Sequence, residues 1–274
     1  MAKARKDLIL DVISSLSSAM VAPDIGNIEG NRRVWDAYAK DWSPTADFVT
    51  SMSPQFSHPL DVLGDEWSTP ADLTHVLSTF VFPYLSQSTQ VHVGEIGSGG
   101  GRVARLVASH PAVSRYVCMD ISSEMLEHAR KTLASVPHID YCLLPQTSPD
   151  ASSLDFVIVF DVMVHMDLHT IYQTLQQVFR LLRPGGHCFF STANLTAPDG
   201  WARFQKQAKF SIGGFYFTCP QLIDFVLAQC GFEIVQRGAP SPTNMYLNRD
   251  YLLVVQKPHV HAATTLASRS PNEQ

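Results

Sequence analysis

A glycine-rich turn and a carboxylate are the residues whose types and spacing point most directly to a bound ligand. Residues 95–101 read Glu-Ile-Gly-Ser-Gly-Gly-Gly and close the apolar run 91–96. Glycines leave the backbone uncovered, so a ligand can lie directly against it. A later apolar run ends at Asp120, whose carboxylate can accept hydrogen bonds from both hydroxyls of a ribose. The alternative for Asp120 is a cap on the following helix. Together, the turn and the carboxylate favour a nucleotide-like ligand.

The glycine spacing separates two kinds of nucleotide ligand. A dinucleotide fold needs glycines at 97, 99 and 102, because the third packs helix against strand while the pyrophosphate approaches the helix N-terminus. Position 102 is Arg, and no Tyr-Lys pair suited to hydride transfer stands near the predicted sheet. The sequence therefore disfavours an NAD-dependent oxidoreductase.

A sheet must position these residues, and the hydrophobic pattern predicts one. From residue 91 onward, short apolar runs alternate with helical patterns, which is typical of a parallel sheet covered by helices. The predicted strands are 91–96, 115–119, 139–144, 156–160 and 187–191, followed by an antiparallel pair at 232–237 and 251–256. We therefore predict an α/β, Rossmann-like fold. It has a seven-stranded, mostly parallel sheet with helices on both faces, an antiparallel C-terminal hairpin and an N-terminal helical lid.

Helix signals fall between the strands. Apolar residues at steps of three and four predict a helix over 168–182, which the Pro-Gly-Gly at 184–186 should end before the next strand. Thr69 as N-cap and Pro70 at the first helical position predict a helix reaching about Tyr84. A further helix is predicted at 220–230. The stretch 194–218 is predicted to be rich in loops.

The N-terminal part is helical by pattern and carries an aromatic stripe. Trp35, Tyr38 and Trp42 stand at i, i+3 and i+7, on one helix face. Such a stripe is more often core than a lid over a ligand, and both interpretations stay open. The predicted organisation is an N-terminal helical cap or lid at 1–85, a core at 86–258 and a disordered tail at 259–274.

Composition narrows the function classes. The chain has 274 residues, 45% of them hydrophobic, which suffices for one large core. A formal net charge of −5 disfavours a nucleic-acid partner. The five cysteines are scattered without metal-ligand spacing, so we expect no metal and a reduced, cytoplasmic compartment. No apolar run approaches the roughly 18 residues of a membrane span. Asp7 and Asp11 interrupt the apolar N-terminus, which predicts an amphipathic helix rather than a signal peptide.

Four stretches in order carry a resemblance to a known family. They are 95–101, 120–126 (Asp-Ile-Ser-Ser-Glu-Met-Leu), 154–161 (Leu-Asp-Phe-Val-Ile-Val-Phe-Asp) and 182–186 (Leu-Arg-Pro-Gly-Gly). This set resembles the class I S-adenosylmethionine-dependent methyltransferases. The resemblance implies S-adenosylmethionine as cofactor, S-adenosylhomocysteine as product and a small-molecule methyl acceptor. O- or N-methylation is favoured, and S-methylation is possible.

The resemblance also implies roles for individual residues. The glycine turn would cradle the methionine half of the cofactor, and Glu95 would lie beneath its amino group or a bridging water. Asp120 would take the ribose hydroxyls, with Ile121 and Met125 beside the adenine. Gln146, or backbone groups near it, would take the adenine amine. The predicted cofactor-binding residues are Glu95, Gly97, Ser98, Gly99, Gly101, Asp120, Ile121, Met125, Gln146, Phe160 and Asp161.

By the same resemblance, the segment after the fourth strand lines the junction between cofactor and acceptor. His165 is the candidate general base, because an imidazole with a pKa of about 6.5 can take a proton from a hydroxyl or an amine. The alternative is a histidine bonded to backbone. Asp161 would hydrogen-bond the cofactor's ammonium group or cap the next turn.

The acceptor pocket should come from segments outside the core, among them 64–67, 194–201, 213–217 and 244–251. Within the last, Asn248-Arg249-Asp250 has an equal alternative, a turn with a local ion pair. Trp35, Tyr38, Trp42, Tyr216 and Tyr246 are candidate substrate or lid residues, although packing and substrate contact are both open for the two tyrosines at 216 and 246. A second hypothesis is a partner or regulatory protein of the same fold that binds the cofactor without methylating. The cofactor site alone does not separate it from an enzyme.

Overall fold

A seven-stranded sheet forms the centre of the computed structural model, which describes residues 26–52 and 58–259. The strand order is β3-β2-β1-β4-β5-β7-β6. The strands are β1 Val91–Ile96, β2 Val113–Asp120, β3 Ile139–Leu143, β4 Leu154–Val159, β5 Leu182–Ala193, β6 Glu233–Arg237 and β7 Asp250–Gln256. Strand β7 runs antiparallel to both β5 and β6, and the other pairs are parallel. The predicted fold class is confirmed. The helix predicted within residues 1–20 and the tail from residue 260 lie outside the described residues.

Helices cover both faces of the sheet. Those in the described residues are α1 Asn27–Asp41, α2 Asp47–Met52, α3 Pro70–Phe80, α4 Phe82–Leu85, α5 Ala104–Val107, α6 Ser123–Thr132, α7 Leu168–Leu181, α8 Pro198–Lys206, α9 Pro220–Gln229 and α10 Met245–Arg249. Alternate residues of each strand point to opposite faces. Phe156 and Ile158 of β4 therefore share an apolar layer with α3, α5 and α6, whereas Val157 and Val159 pack with α7 and α9.

Two predicted boundaries differ from the structure. Helix α7 ends at Leu181, and Leu182 already pairs with β4, so the Pro-Gly-Gly at 184–186 lies inside β5 instead of before it. Its backbone still pairs, because Gly185 N donates to Lys257 O. The helix predicted from Thr69 to about Tyr84 is two helices that are separated at Val81. Pro83 explains the break, because it cannot donate the backbone hydrogen bond that a continuous helix requires.

Helix α8 lies in the stretch predicted to be loops. Its large apolar residues face outward: Trp201 is 49% exposed and Phe204 43% exposed. Gly200 is its one buried residue, and a Cβ there would lie 1.8 Å from Asn194 O. Because α8 has no inward apolar stripe, periodicity gave no indication of a helix.

Within 26–52 and 58–259, none of the helices combines the length and the apolar character needed to cross a bilayer.

Candidate functional site

A cavity of about 970 Å³ opens at the carboxyl ends of β1, β2 and β4. Strand β1 lies between β2 and β4, so the chain crosses over in opposite directions on its two sides. Ligands of open α/β sheets bind at such a switch point, outside the carboxyl ends of the strands. The volume of this cavity lies at the upper end of the usual range for ligand pockets, about 300–1,000 Å³. Its size accommodates a cofactor together with a small acceptor.

The glycine turn forms the floor of this cavity. Gly97, Gly99 and Gly101 have φ values of 73°, 53° and 86°, a region that other residues adopt rarely. A Cβ on Gly97 would lie 2.3 Å from Val162, whereas a Cβ on Gly99 would meet no atom within 4 Å. The turn therefore depends on glycine, and it leaves open space above Gly99.

Asp120 lies beside the turn at the end of β2. Its Oδ2 accepts a hydrogen bond from Gly99 N at 2.9 Å, and its Oδ1 accepts one from Ser122 N at 2.9 Å. Ser122, and not Asp120, caps α6 by accepting from Met125 N. Burial raises the pKa of Asp120 to about 6, although the backbone amides of Ser122 and Gly99 lower it. A carboxylate has about four acceptor sites, so these hydrogen bonds leave Asp120 with acceptor capacity.

Glu95 lies beneath the turn and is almost fully buried. Its Oε2 accepts a hydrogen bond from the Tyr116 hydroxyl at 2.6 Å. Burial raises the pKa of Glu95 to about 8, the Tyr116 hydrogen bond lowers it, and the charge of Asp120 raises it further. Glu95 is therefore largely protonated at neutral pH in the ligand-free protein.

This protonation predicts a pH-dependent effect of Glu95→Gln. A folded-state pKa near 8, above the ordinary 4.5, means that the folded state holds the proton more tightly than the unfolded chain. The stability that neutral Glu95 contributes is present below pH 4.5 and is lost as the pH rises through 8. Glutamine stays neutral throughout. Relative to the wild type, the Tm of Glu95→Gln should therefore be several degrees higher at pH 8.5 than it is at pH 5. A stability change of 1 kcal/mol corresponds to a Tm shift of about 2–4 °C.

Thermal unfolding of ligand-free protein at both pH values measures this difference. Glu127→Gln, at a side chain with 62% exposure, is the control and should show no such pH dependence. The same Tm difference at both pH values for Glu95→Gln would contradict the assignment.

His165 lies in a 3₁₀ turn, Met163–His165, after β4. Its Nδ1 lies 3.1 Å from Gly214 O. Because a carbonyl only accepts, Nδ1 carries the hydrogen and Nε2 carries a free lone pair. The ring packs edge-on between Trp35 at 5.0 Å and Phe215 at 5.4 Å, measured between centroids. Burial lowers the pKa of His165 to about 4, against the opposing charge of Asp161. The imidazole is thus neutral at pH 7, and in the ligand-free protein it is a weaker base than an imidazole with the pKa of about 6.5 that underlies its predicted role.

Asp161 faces a buried arginine that sequence reasoning missed. Its backbone has φ 59°, and its Oδ1 accepts a hydrogen bond from Arg249 Nη2 at 2.6 Å. Arg249 also holds Asp250 through two hydrogen bonds of 2.8 and 2.5 Å. Burial raises the pKa of Asp161, but Arg249, His165 and Arg102 together outweigh burial and hold it below its usual value. The local ion pair predicted in Asn248-Arg249-Asp250 is present, and it extends to the cavity wall.

Most predicted cofactor residues meet in this cavity. Those that line it are Glu95, Gly97, Ser98, Gly99, Asp120, Ile121, Met125, Phe160 and Asp161. Gly101 instead packs under the turn, where a Cβ would lie 3.4 Å from Ala129 and Leu133. Gln146 is exposed, and the residues after β3 that line the cavity are Leu144, Pro145 and Ser148. The structure does not bring Gln146 to the site.

Of the predicted substrate or lid aromatics, Trp35 lines the cavity. The Tyr38 hydroxyl and Trp42 Nε1 both donate to Glu66 Oε1, at 2.6 and 3.0 Å, and so hold the buried carboxylate of a residue that lines the cavity. Tyr216 packs on Phe210 at 4.3 Å between ring centroids. Tyr246 is 0% exposed and accepts a hydrogen bond from Arg102 Nη1 at 3.1 Å. The aromatic stripe is thus divided between cavity and core.

Several lining residues were not predicted individually, although Phe215 and Arg249 lie in the stretches 213–217 and 244–251 expected at the acceptor pocket. They are Asn27, Asn31, Arg102, Arg203, Phe215 and Arg249. Arg102 could have been noticed, since it replaces a glycine expected in a dinucleotide turn. It is buried, where it donates to Ser68 and Tyr246. The others lie far apart along the chain, so the sequence does not indicate that they line one cavity.

Part of the sequence is similar to known methyltransferases. A methyltransferase domain family matches residues 95–188. A ubiquinone biosynthesis O-methyltransferase of Coxiella burnetii is 26% identical over 141 residues, which cover 48% of this chain and 58% of that protein. The chain therefore matches little more than half the length of this relative.

Two solved structures share the fold. Magnesium protoporphyrin IX methyltransferase from Synechocystis, solved with bound S-adenosylmethionine, has a TM-score of 0.58 at 16% identity and covers 86% of this chain and 100% of its own. N-methyltransferase NodS from Bradyrhizobium japonicum, solved with S-adenosylhomocysteine, has a TM-score of 0.55 at 19% identity, with coverages of 72% and 93%. Residues 95–188 thus match a methyltransferase domain family, and the chain shares the fold of these two methyltransferase structures.

Proposed function

We propose that this chain transfers a methyl group from S-adenosylmethionine to a small-molecule acceptor, with O- or N-methylation favoured over S-methylation. The observation that carries this proposal is the glycine turn beside Asp120 at the switch point of the sheet, in a cavity with room for two ligands. The methyltransferase domain match over residues 95–188 supports the same chemistry.

The residues present fit the proposed cofactor. Open space above Gly99 would admit the methionine portion against backbone, and Asp120 would accept hydrogen bonds from the ribose hydroxyls. Asn31 Oδ1 is buried in the cavity wall without a hydrogen-bond partner among the described residues. A buried acceptor of this kind is costly unless a donor meets it, and the ammonium group of the methionine portion is such a donor.

Helix α1 is proposed as part of the lid over this site. Asn31 Nδ2 donates to His165 O at 2.9 Å, and Ser122 Oγ donates to Asp36 Oδ1 at 2.6 Å. These bonds tie α1 to the segments after β4 and β2. Trp35 extends from the same helix into the cavity wall and excludes water from it.

When bound, S-adenosylmethionine supplies an electrophilic methyl group on a positively charged sulfur, open to in-line displacement. The chain's own contribution is then alignment of the acceptor, exclusion of water and removal of a proton. Trp35 and Phe215 form apolar walls on either side of His165. The neutral imidazole, held by Gly214 O, presents Nε2 as the acceptor of a proton from a hydroxyl or an amine.

His165→Phe tests this role, since phenylalanine keeps a ring between Trp35 and Phe215 but cannot take a proton. We expect kcat to fall about 10²–10⁴-fold with a hydroxyl or amine acceptor, the usual contribution of a general base. The dissociation constant of S-adenosylhomocysteine should change little. His165→Asn, which can still donate to Gly214 O, separates proton removal from anchoring and should be equally slow. A kcat within threefold of the wild type for both variants would exclude the general-base role.

The proposed function itself is tested on the whole protein. S-adenosylmethionine or S-adenosylhomocysteine at one hundred times its dissociation constant should raise the free energy of unfolding by about 2.7 kcal/mol. The Tm should rise accordingly. Incubation with S-adenosylmethionine and a small-molecule extract should then yield S-adenosylhomocysteine. Folded protein that neither ligand stabilises would refute the proposal. Stabilisation without product would instead support the non-methylating regulatory protein.

A further inference from the structure

Arg203 is a half-buried cation in the cavity wall. Its guanidinium carbon lies 3.8 Å from the centroid of the Phe215 ring. Its Nε is buried and has no hydrogen-bond partner among the described residues. Removing a guanidinium from water without an anionic partner is unfavourable. This arrangement therefore leaves Arg203 prepared for an anionic partner that enters the cavity.

The two carboxylates whose charges act on Arg203 are already paired with another arginine. Asp161 and Asp250 are both held by Arg249, at 2.6 and 2.5 Å. Arg249 lies 4.9 Å from the same Phe215 ring, so two guanidinium groups flank one phenyl ring. Burial, and then the charge of Arg249, lower the pKa of Arg203 to about 10, which leaves it charged at pH 7.

The sheet order places Arg203 away from the ribose side. Gly99 and Asp120 lie at the ends of β1 and β2, whereas α8 follows β5, on the other side of β4. Asp161 and His165 follow β4 and stand between these two parts. A group that pairs with Arg203 would therefore belong to the ligand on the β5 side of the cavity.

We propose that Arg203 binds a carboxylate of the methyl acceptor, and so selects acceptors that carry one negative charge. This inference rests on the proposed function. A carboxylate matches the planar edge of the guanidinium, with which it forms two parallel hydrogen bonds. The neighbouring Asp161 and Asp250 disfavour a dianion such as a phosphate ester. Phe215 supplies an apolar surface for the rest of a small molecule. The other carboxylate that could reach Arg203 is that of the cofactor's methionine portion, and the experiment separates the two.

The first measurement uses wild-type protein saturated with S-adenosylhomocysteine. The probes are benzoate, 4-hydroxybenzoate, 3,4-dihydroxybenzoate, indole-3-acetate and decanoate, each compared with its methyl ester. At least one acid should bind about tenfold or more tightly than its ester, since a charge-assisted pair is lost in the ester. Calorimetry gives both constants. If every acid binds no better than its ester while S-adenosylhomocysteine binds well, this inference fails and the proposed function stands. If S-adenosylhomocysteine itself does not bind, the proposed function fails.

The second measurement uses Arg203→Met and the control Lys209→Met, which removes an exposed cation in the same segment. Arg203→Met should lose the preference for the acid and keep S-adenosylhomocysteine affinity within about threefold. Lys209→Met should keep both. A preference that survives in folded Arg203→Met would refute the role of Arg203. A tenfold or greater loss of S-adenosylhomocysteine affinity would assign Arg203 to the cofactor's carboxylate instead. If Arg203→Met does not fold, Arg203→Lys replaces it and should weaken the acid preference without abolishing it, because lysine lacks the planar edge.

Discussion

Asp120→Ala should weaken S-adenosylhomocysteine binding about 10²-fold or more. The substitution removes a carboxylate that is proposed to accept from both ribose hydroxyls, and each such hydrogen bond to a charged group contributes about 1.5–3 kcal/mol. It also removes the bond from Gly99 N that fixes the glycine turn. Asp120→Asn keeps one acceptor oxygen and should fall between alanine and the wild type. Calorimetry with S-adenosylhomocysteine measures all three proteins.

The pH dependence of the same binding identifies the group. With a pKa of about 6 in the ligand-free protein, Asp120 is ionised above that value, so affinity should be full at pH 7.5 and decrease as the pH falls below 6. Asp120→Ala should lack this decrease. Asp140→Ala, on the exposed side of neighbouring β3, is the matched control and should bind like the wild type. Wild-type affinity in Asp120→Ala would remove the ribose assignment.

Arg249→Met should lower the free energy of unfolding by about 3–5 kcal/mol, the usual cost of removing one member of a buried ion pair. Arg249 is 8% exposed and neutralises Asp161 and Asp250 together. Without it, both carboxylates stay in a buried site that cannot hydrate them. Their protonation at lower pH relieves this cost, so the loss should be smaller at pH 5 than at pH 7.

Urea unfolding at the two pH values measures the effect. Arg115→Met breaks the exposed pair with Asp140 and should cost about 0–1 kcal/mol. Adding Asp250→Asn to Arg249→Met should recover part of the stability at pH 7, because one unpaired charge is removed. Equal losses for Arg249→Met and Arg115→Met would show that the buried cluster contributes no more than a surface pair.

Local patterns explain why much of the cofactor side was predictable. The glycine turn, Asp120 and the segment from Phe160 to His165 follow strands whose apolar runs are continuous in sequence. Parallel strands bring their carboxyl ends to one edge, so the contact between these residues follows from the strand assignments alone. Strand β1 was predicted with its observed bounds, Val91–Ile96.

The acceptor side was less predictable because its contacts are long-range. Arg249 meets Asp161 across 88 positions of sequence, and no periodic pattern relates the two. Arg203 lies on α8, a helix whose apolar side chains face outward. For Tyr38 and Trp42 the decisive partner is Glu66, in a separate turn. The spacing placed these aromatic residues on one helix face, but it did not indicate that they bind a buried carboxylate.

Strand β5 separates two groups of site residues along the chain. Groups proposed for the cofactor precede β5, and Arg203 and Phe215 follow it; the family match itself ends at residue 188, inside β5. Mutations after Ala193 can therefore accumulate without altering the ribose and glycine contacts. Chimaeras joined at Ala193 should inherit cofactor affinity from one parent and acceptor choice largely from the other. New substrates can thus arise on this scaffold through change in its C-terminal third.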